Sequence, residues 1–228
     1  DARRQGRATA RNLGRHGINV DLAPVLDVGR RGSAIESEGR SFGRTAARVV
    51  ETGVDGFAAG LRDGGVAAAA KHFPGLGAAT VNTDASAQTI RVSRSRLRAV
   101  DEVPFGAFAE DGGELVMLGL ASYPALSSRP AAFSRRVATG ELRRRVGFDG
   151  ASVTDSLDAV AATSFGSRER VALAAARAGS DLLLYGDWRT ARDVSRPLRR
   201  ELGSGALERG AFVDSVERVL RMRSGLEG

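Results

Sequence analysis

Five short apolar runs alternate along this chain with longer stretches of helical spacing, and that alternation constrains the fold more than any other feature. The runs are residues 19–23 (NVDLA), 66–71 (VAAAAK), 115–120 (LVMLGL), 151–155 (ASVTD) and 181–185 (DLLLY). Each has strand length, and little in them follows the one-sided alternation of a half-exposed antiparallel strand. Helices are predicted near residues 2–15, 44–62, 95–111, 134–146, 168–178, 189–202 and 211–224. Ser134 is expected as an N-cap, and Gly147 and Gly179 as C-caps. Apolar strands separated by helices imply an α/β fold whose parallel sheet is covered on both faces. That leaves a doubly wound sheet or a (β/α) barrel.

The loops choose between them. The glycine-rich segment 27–43, DVGRRGSAIESEGRSFG, has neither the GxGxxG nor the GxxxxGK[ST] spacing of a phosphate-binding turn. Polar residues instead follow the strands at their C-terminal ends: Asp27 after the first, Lys71 and His72 after the second, Asp155 after the fourth. In a TIM-type barrel those ends form one mouth, so distant residues converge on a single pocket.

Composition narrows the chemistry. The net charge is +7, but the arginines are interleaved with acids and aromatic residues make up only 5%, so no nucleic-acid partner is expected. Lys71 is the single lysine among 34 basic side chains. There are no cysteines and two histidines, which argues against a thiolate or histidine metal cluster; no metal or organic cofactor is expected. No apolar run approaches about 18 residues, and the opening DARRQGRATARNLGRHG lacks an apolar leader core. No membrane-spanning segment is therefore expected. Nothing in the sequence selects between a cytoplasmic and a secreted setting. With 228 residues the chain can bury its own core, and residues 1–228 read as one domain.

Two positions have competing readings from chemistry alone. Asp155, ahead of an expected helix start at Ser156, is either the cap of that helix or a nucleophile or base facing the pocket. Lys71 and His72 are neighbours on a strand, where successive side chains face opposite ways, so both reach one pocket only if the backbone becomes irregular there. The following PGLG permits such a turn.

The segments INVDLAPVLDV, EGRSFG, KHFPGLG, ELVMLGLASYPAL, RRRVGFDGASVTDSLDAV and ARAGSDLLLYGD, in this order, resemble the N-terminal barrel domain of glycoside hydrolase family 3. The likeness is to the β-N-acetylglucosaminidase branch and extends to about residue 223. It implies an exo-acting glycoside hydrolase that cleaves β-linked N-acetylglucosamine with retention, one carboxylate acting as nucleophile and a second group as acid and then base. Asp155 matches the nucleophile, while Lys71, His72 and Arg40 match the groups that hydrogen-bond the sugar hydroxyls. A compact ammonium in a tight sugar pocket is not replaceable by a planar guanidinium, which gives the lone lysine a reason. The substrate is then a small carbohydrate.

The chain departs from the branch in the loop after KHFPG. Leu76 stands where a histidine is usual, and Asn82 and Asp84 replace the aspartate and histidine of the branch's acid/base dyad. Asp84 either serves directly as the acid/base, if an apolar surrounding holds its proton, or only shapes a turn with Asn82. The five strands match the last five of the family's eight, so a preceding segment or a partner chain is expected to complete the barrel, and these residues are not expected to be active alone. A non-catalytic sugar-binding relative and a β-glucosidase-type member are the alternative readings.

Overall fold

In the computed structural model, which describes residues 1–226, the apolar runs form one parallel sheet. Strands β1 (Val20–Asp21), β2 (Ala67–Phe73), β3 (Leu115–Leu118) and β4 (Ala151–Thr154) lie side by side in chain order. The run 181–185 takes the fifth position with only one bridge, Val153 to Leu182. That bridge consists of Leu182 N–H to Ser152 O at 2.9 Å and Thr154 N–H to Leu182 O at 3.0 Å, and Leu157 N–H to Leu184 O at 2.9 Å extends it. The result is an arc of parallel strands, and no pairing joins β1 to 181–185 among the described residues.

The helices fall where the spacing predicts. They are α1 (Ala2–Gly14), α2 (46–63, with wider turns over Val50–Ala58), α3 (94–110, interrupted at Glu102 ahead of Pro104) and α4 (Arg136–Arg145). Beyond them come α5 (Arg168–Ala178), α6 (Trp188–Gly203) and α7 (Arg209–Ser224). Gly147 and Gly179 take left-handed φ values of 81° and 100°, a conformation glycine adopts without a Cβ penalty. Ser134 does not cap α4: its carbonyl, not its hydroxyl, accepts from Val137 and Ala138, and no side chain caps that helix. The helix expected at Ser156 begins instead at Val160, after an irregular loop.

Side-chain alternation along the strands divides the core into two layers. Ala68, Ala70, Val116 and Leu118 face the helices and join the large cluster that includes Leu26, Phe73, Phe105 and Phe133. Ala69, Leu115, Met117, Ala151 and Val153 point to the opposite face, where Val219 and Met222 of α7 pack against them. Both faces of the sheet are covered, as strands this apolar require. Because all strands run the same way, their C-terminal ends share one rim, and the candidate site residues lie along it. Among the described residues, no helix is long and apolar enough to cross a membrane.

Candidate active site

The rim is organised around Asp27, whose side chain is fully buried. One carboxylate oxygen accepts the backbone N–H groups of His72 at 3.2 Å and Leu76 at 2.6 Å; the other faces His72 Nδ1 at 2.7 Å. A single carboxylate thus fixes the start of the KHFPGLG loop by its backbone and by its histidine ring. The loop also lies tight against the Asp27 segment at Gly77, where an added Cβ would collide with the Val28 carbonyl oxygen. Tyr123, itself buried, donates its hydroxyl to Gly75 O at 2.9 Å from the other side.

The pairing of β2 with β3 shifts register between Ala70 and Phe73, and the Lys71–His72 peptide bond is cis. The strand runs through His72 to Phe73, where the sequence suggested an end at Lys71. A register shift of this kind re-aims side chains, and here the expected irregularity of backbone lies inside the strand. His72 Nε2 meets Arg40 Nη2 at 3.4 Å. Since a guanidinium only donates, Nε2 is the acceptor, so Nδ1 carries the proton and donates a hydrogen bond to Asp27. Arg40 and His72 are thereby brought together from positions 32 residues apart.

Lys71 is partly buried, and burial holds its ammonium below the ordinary lysine pKa. The neighbouring Arg40 acts in the same direction, while Asp155, Asp21 and Asp27 oppose it. These four charges identify the surroundings of Lys71: the rim positions Arg40, Asp27 and Asp155, and Asp21 on β1. Burial pushes the Asp21 carboxyl up, against the lowering effect of Lys71. Asp155 follows β4, its N–H bonded to Leu118 O at 2.9 Å, and its Oδ1 accepts the Ser156 N–H at 2.8 Å. With no helix starting at Ser156, the cap reading of Asp155 is lost. Among the described hydrogen bonds its Oδ2 has no partner.

Asp84 sits on the loop above and is exposed, without the apolar surrounding considered for it. Its N–H donates to Asn82 Oδ1 at 3.0 Å, the side-chain turn that Asn favours. Its carbonyl accepts Val160 N–H at 3.3 Å and the Thr83 carbonyl accepts Ala161 N–H at 3.2 Å, so this loop is tied to the segment that follows Asp155. Asn82 Nδ2 reaches Glu38, which also pairs with Arg40. Two residues of this arrangement were not singled out for a role from sequence, Asp27 as an organiser and Glu38. Their only signals were a polar residue after a strand and an acid beside the RSFG segment. Among the described residues, no group of three or more His, Asp and Glu side chains is arranged to hold a metal ion. A separate cavity lies at the opposite end of the strands, between Ala67, Glu114, Gly150 and α7 residues Arg218 and Met222.

Comparison with known proteins gives a consistent result. The family model described as the glycosyl hydrolase family 3 N terminal domain matches residues 1–222. The chain is 37% identical over 231 residues to an uncharacterized secreted glycosyl hydrolase of Arthroderma benhamiae, covering 99% of this chain and 65% of that protein. It is 36% identical over 168 residues to a beta-hexosaminidase of Alkalilimnicola ehrlichii, covering 74% and 48% respectively. A glycoside hydrolase family 3 beta-N-acetylglucosaminidase from Paenibacillus sp. superimposes with a TM-score of 0.94 at 30% identity, over 99% of this chain and 43% of that one. The chain spans about half the length of the beta-hexosaminidase it matches.

Proposed function

Because the chain belongs to glycosyl hydrolase family 3, through the N-terminal domain of that family, we propose that it provides the sugar pocket and the nucleophile of a retaining β-N-acetylhexosaminidase. The observation that carries this reading is the meeting of Lys71, Arg40, His72 and Asp155 on one rim of a parallel sheet. Lys71 and Arg40 offer donors to the hydroxyls of one sugar ring, and His72 Nε2, which accepts from Arg40, is the one acceptor among the three. Asp155 Oδ1 is held by the Ser156 N–H, and its other oxygen attacks the anomeric carbon as the glycosidic bond breaks. Asp84, exposed on its loop, gives a proton to the departing oxygen once the bound sugar shields its carboxyl from water. In the second step Asp84 takes a proton from water, the water oxygen attacks the same carbon, and the bond to Asp155 breaks.

The test is hydrolysis by the full-length protein of an aryl β-N-acetylglucosaminide and of a β-linked N-acetylglucosamine disaccharide. An aryl leaving group needs little acid assistance, so it isolates the nucleophile, whereas the disaccharide needs both groups. Asp155→Ala is expected to lose on the order of 10⁴-fold or more in kcat on both substrates. Asp84→Ala is expected to lose about 10²- to 10⁴-fold on the disaccharide and far less on the aryl glycoside. Sugar binding without turnover by the wild type would contradict the hydrolase and leave a sugar-binding relative.

A further inference from the structure

Glu38 has none of the roles above, yet two arms of the site meet on it. Its Oε2 accepts from Arg40 Nη1 at 3.2 Å, while Asn82 Nδ2 lies 3.3 Å from Oε1 and 3.4 Å from Oε2. Arg40 continues to His72, and Asn82 continues to the Asp84 N–H. An unbroken hydrogen-bonded chain therefore runs from buried Asp27 through His72, Arg40, Glu38 and Asn82 to Asp84.

The residue types along this chain are matched in a directed way. A carboxylate only accepts, so both of its neighbours must donate, and an arginine and an amide do so. The amide is used at both ends: its nitrogen donates to Glu38 while its oxygen accepts from the Asp84 backbone. An aspartate at position 82 would keep the second bond and replace the first by two facing carboxylates, which repel. Asn82 is thus the partner that the charge at position 38 calls for.

We infer that Glu38 is a positioning residue that clamps the Asp84 turn to the Arg40 and His72 arm, setting the acid/base loop against the sugar pocket. This rests on the reading of Asp84 as acid/base, but the clamp itself has a readout that needs no activity. The Glu38 side chain is 36% exposed, and exposed pairs contribute little to folding, so its loss loosens a loop and leaves the fold intact.

The experiment uses the full-length protein with Glu38→Ala, Asn82→Asp and the exchanged pair Glu38→Gln with Asn82→Asp. In the exchanged pair the new amide at position 38 donates to the new carboxylate at position 82 while its oxygen still accepts from Arg40, so the clamp re-forms with its polarity reversed. Both single variants are expected to speed hydrogen exchange of backbone amides across residues 82–86 by about tenfold. They are also expected to lower kcat on the disaccharide by about tenfold, with KM and aryl-glycoside turnover changed much less. The exchanged pair is expected to return both readouts to within about threefold of wild type. Unchanged exchange in both single variants, or an exchanged pair no better than Asn82→Asp alone, would overturn the clamp. If the wild type lacks turnover altogether the hydrolase reading fails, and the exchange series alone still decides whether Glu38 holds the loop.

Discussion

Asp27 is held by three donors at once, two backbone N–H groups and the His72 ring, and so acts on the proposed sugar pocket through His72. Its charge fixes which nitrogen of His72 carries the proton. In Asp27→Asn the side-chain oxygen can still accept the backbone N–H groups, but the amide then faces Nδ1 as a donor. The ring must move its proton to Nε2, where it confronts the Arg40 guanidinium, and two donors oppose each other. Asp27→Asn is expected to retain the fold by circular dichroism and to lose about 10- to 100-fold in kcat/KM on both substrates, the usual scale for a residue that orients a site ligand. Wild-type kcat/KM in that variant would contradict the assigned tautomer. At this scale the sequence was only half legible. Lys71, His72, Arg40 and Asp155 were nameable because motifs carry them. The organising bonds of Asp27 and Glu38 were not, because they join positions 45 and 44 residues apart through side-chain geometry that no spacing encodes.

The elements were more legible, since periodicity is a local property and the hydrophobic pattern of each segment agrees with its tertiary surroundings. The exceptions have physical causes. Residues 181–185 read as a strand but form only one bridge, because the segment is anchored by Asp181 as much as by a ladder. That carboxylate, fully buried, accepts from Arg143 at 2.6 Å, from the Ser152 N–H and hydroxyl at 2.8 and 2.9 Å, and from Arg218 of α7 at 2.8 Å. Burial pushes the Arg143 guanidinium down to about 10 even with Asp181 beside it, so the pair is worth keeping only as a pair. Asp181→Ala leaves two arginines and a hydroxyl without their acceptor at the junction of β4, α4 and α7. It is expected to destabilise the full-length protein by about 3–5 kcal/mol in urea unfolding. A loss under about 1 kcal/mol would mean that water substitutes for the carboxylate. Ser134 has the extended backbone and the helix-starting carbonyl of an N-cap, but its hydroxyl makes no bond to the first turn.

At the scale of the molecule, parallel strands bring distant residues to one rim, and this is what turns scattered motifs into a site. The strand order from β1 to β4 sets Asp27, Lys71 and His72 on the same rim as Asp155 at the end of β4, with β3 between them. The architecture could be read in advance because alternating strands and helices leave few alternatives, whereas the joining of the loop 80–90 to the segment 157–163 could not, being made by backbone bonds between two irregular stretches. The central claim is that Asp155 forms a covalent bond to the sugar. It is tested most directly by incubating the full-length protein with an activated fluoro-substituted β-N-acetylglucosaminyl substrate, which slows the second step, and mapping the adduct by peptide mass spectrometry. The account predicts one sugar bound to Asp155 and none in Asp155→Ala. Turnover with no adduct, or an adduct on Asp84 or Glu38, would contradict it.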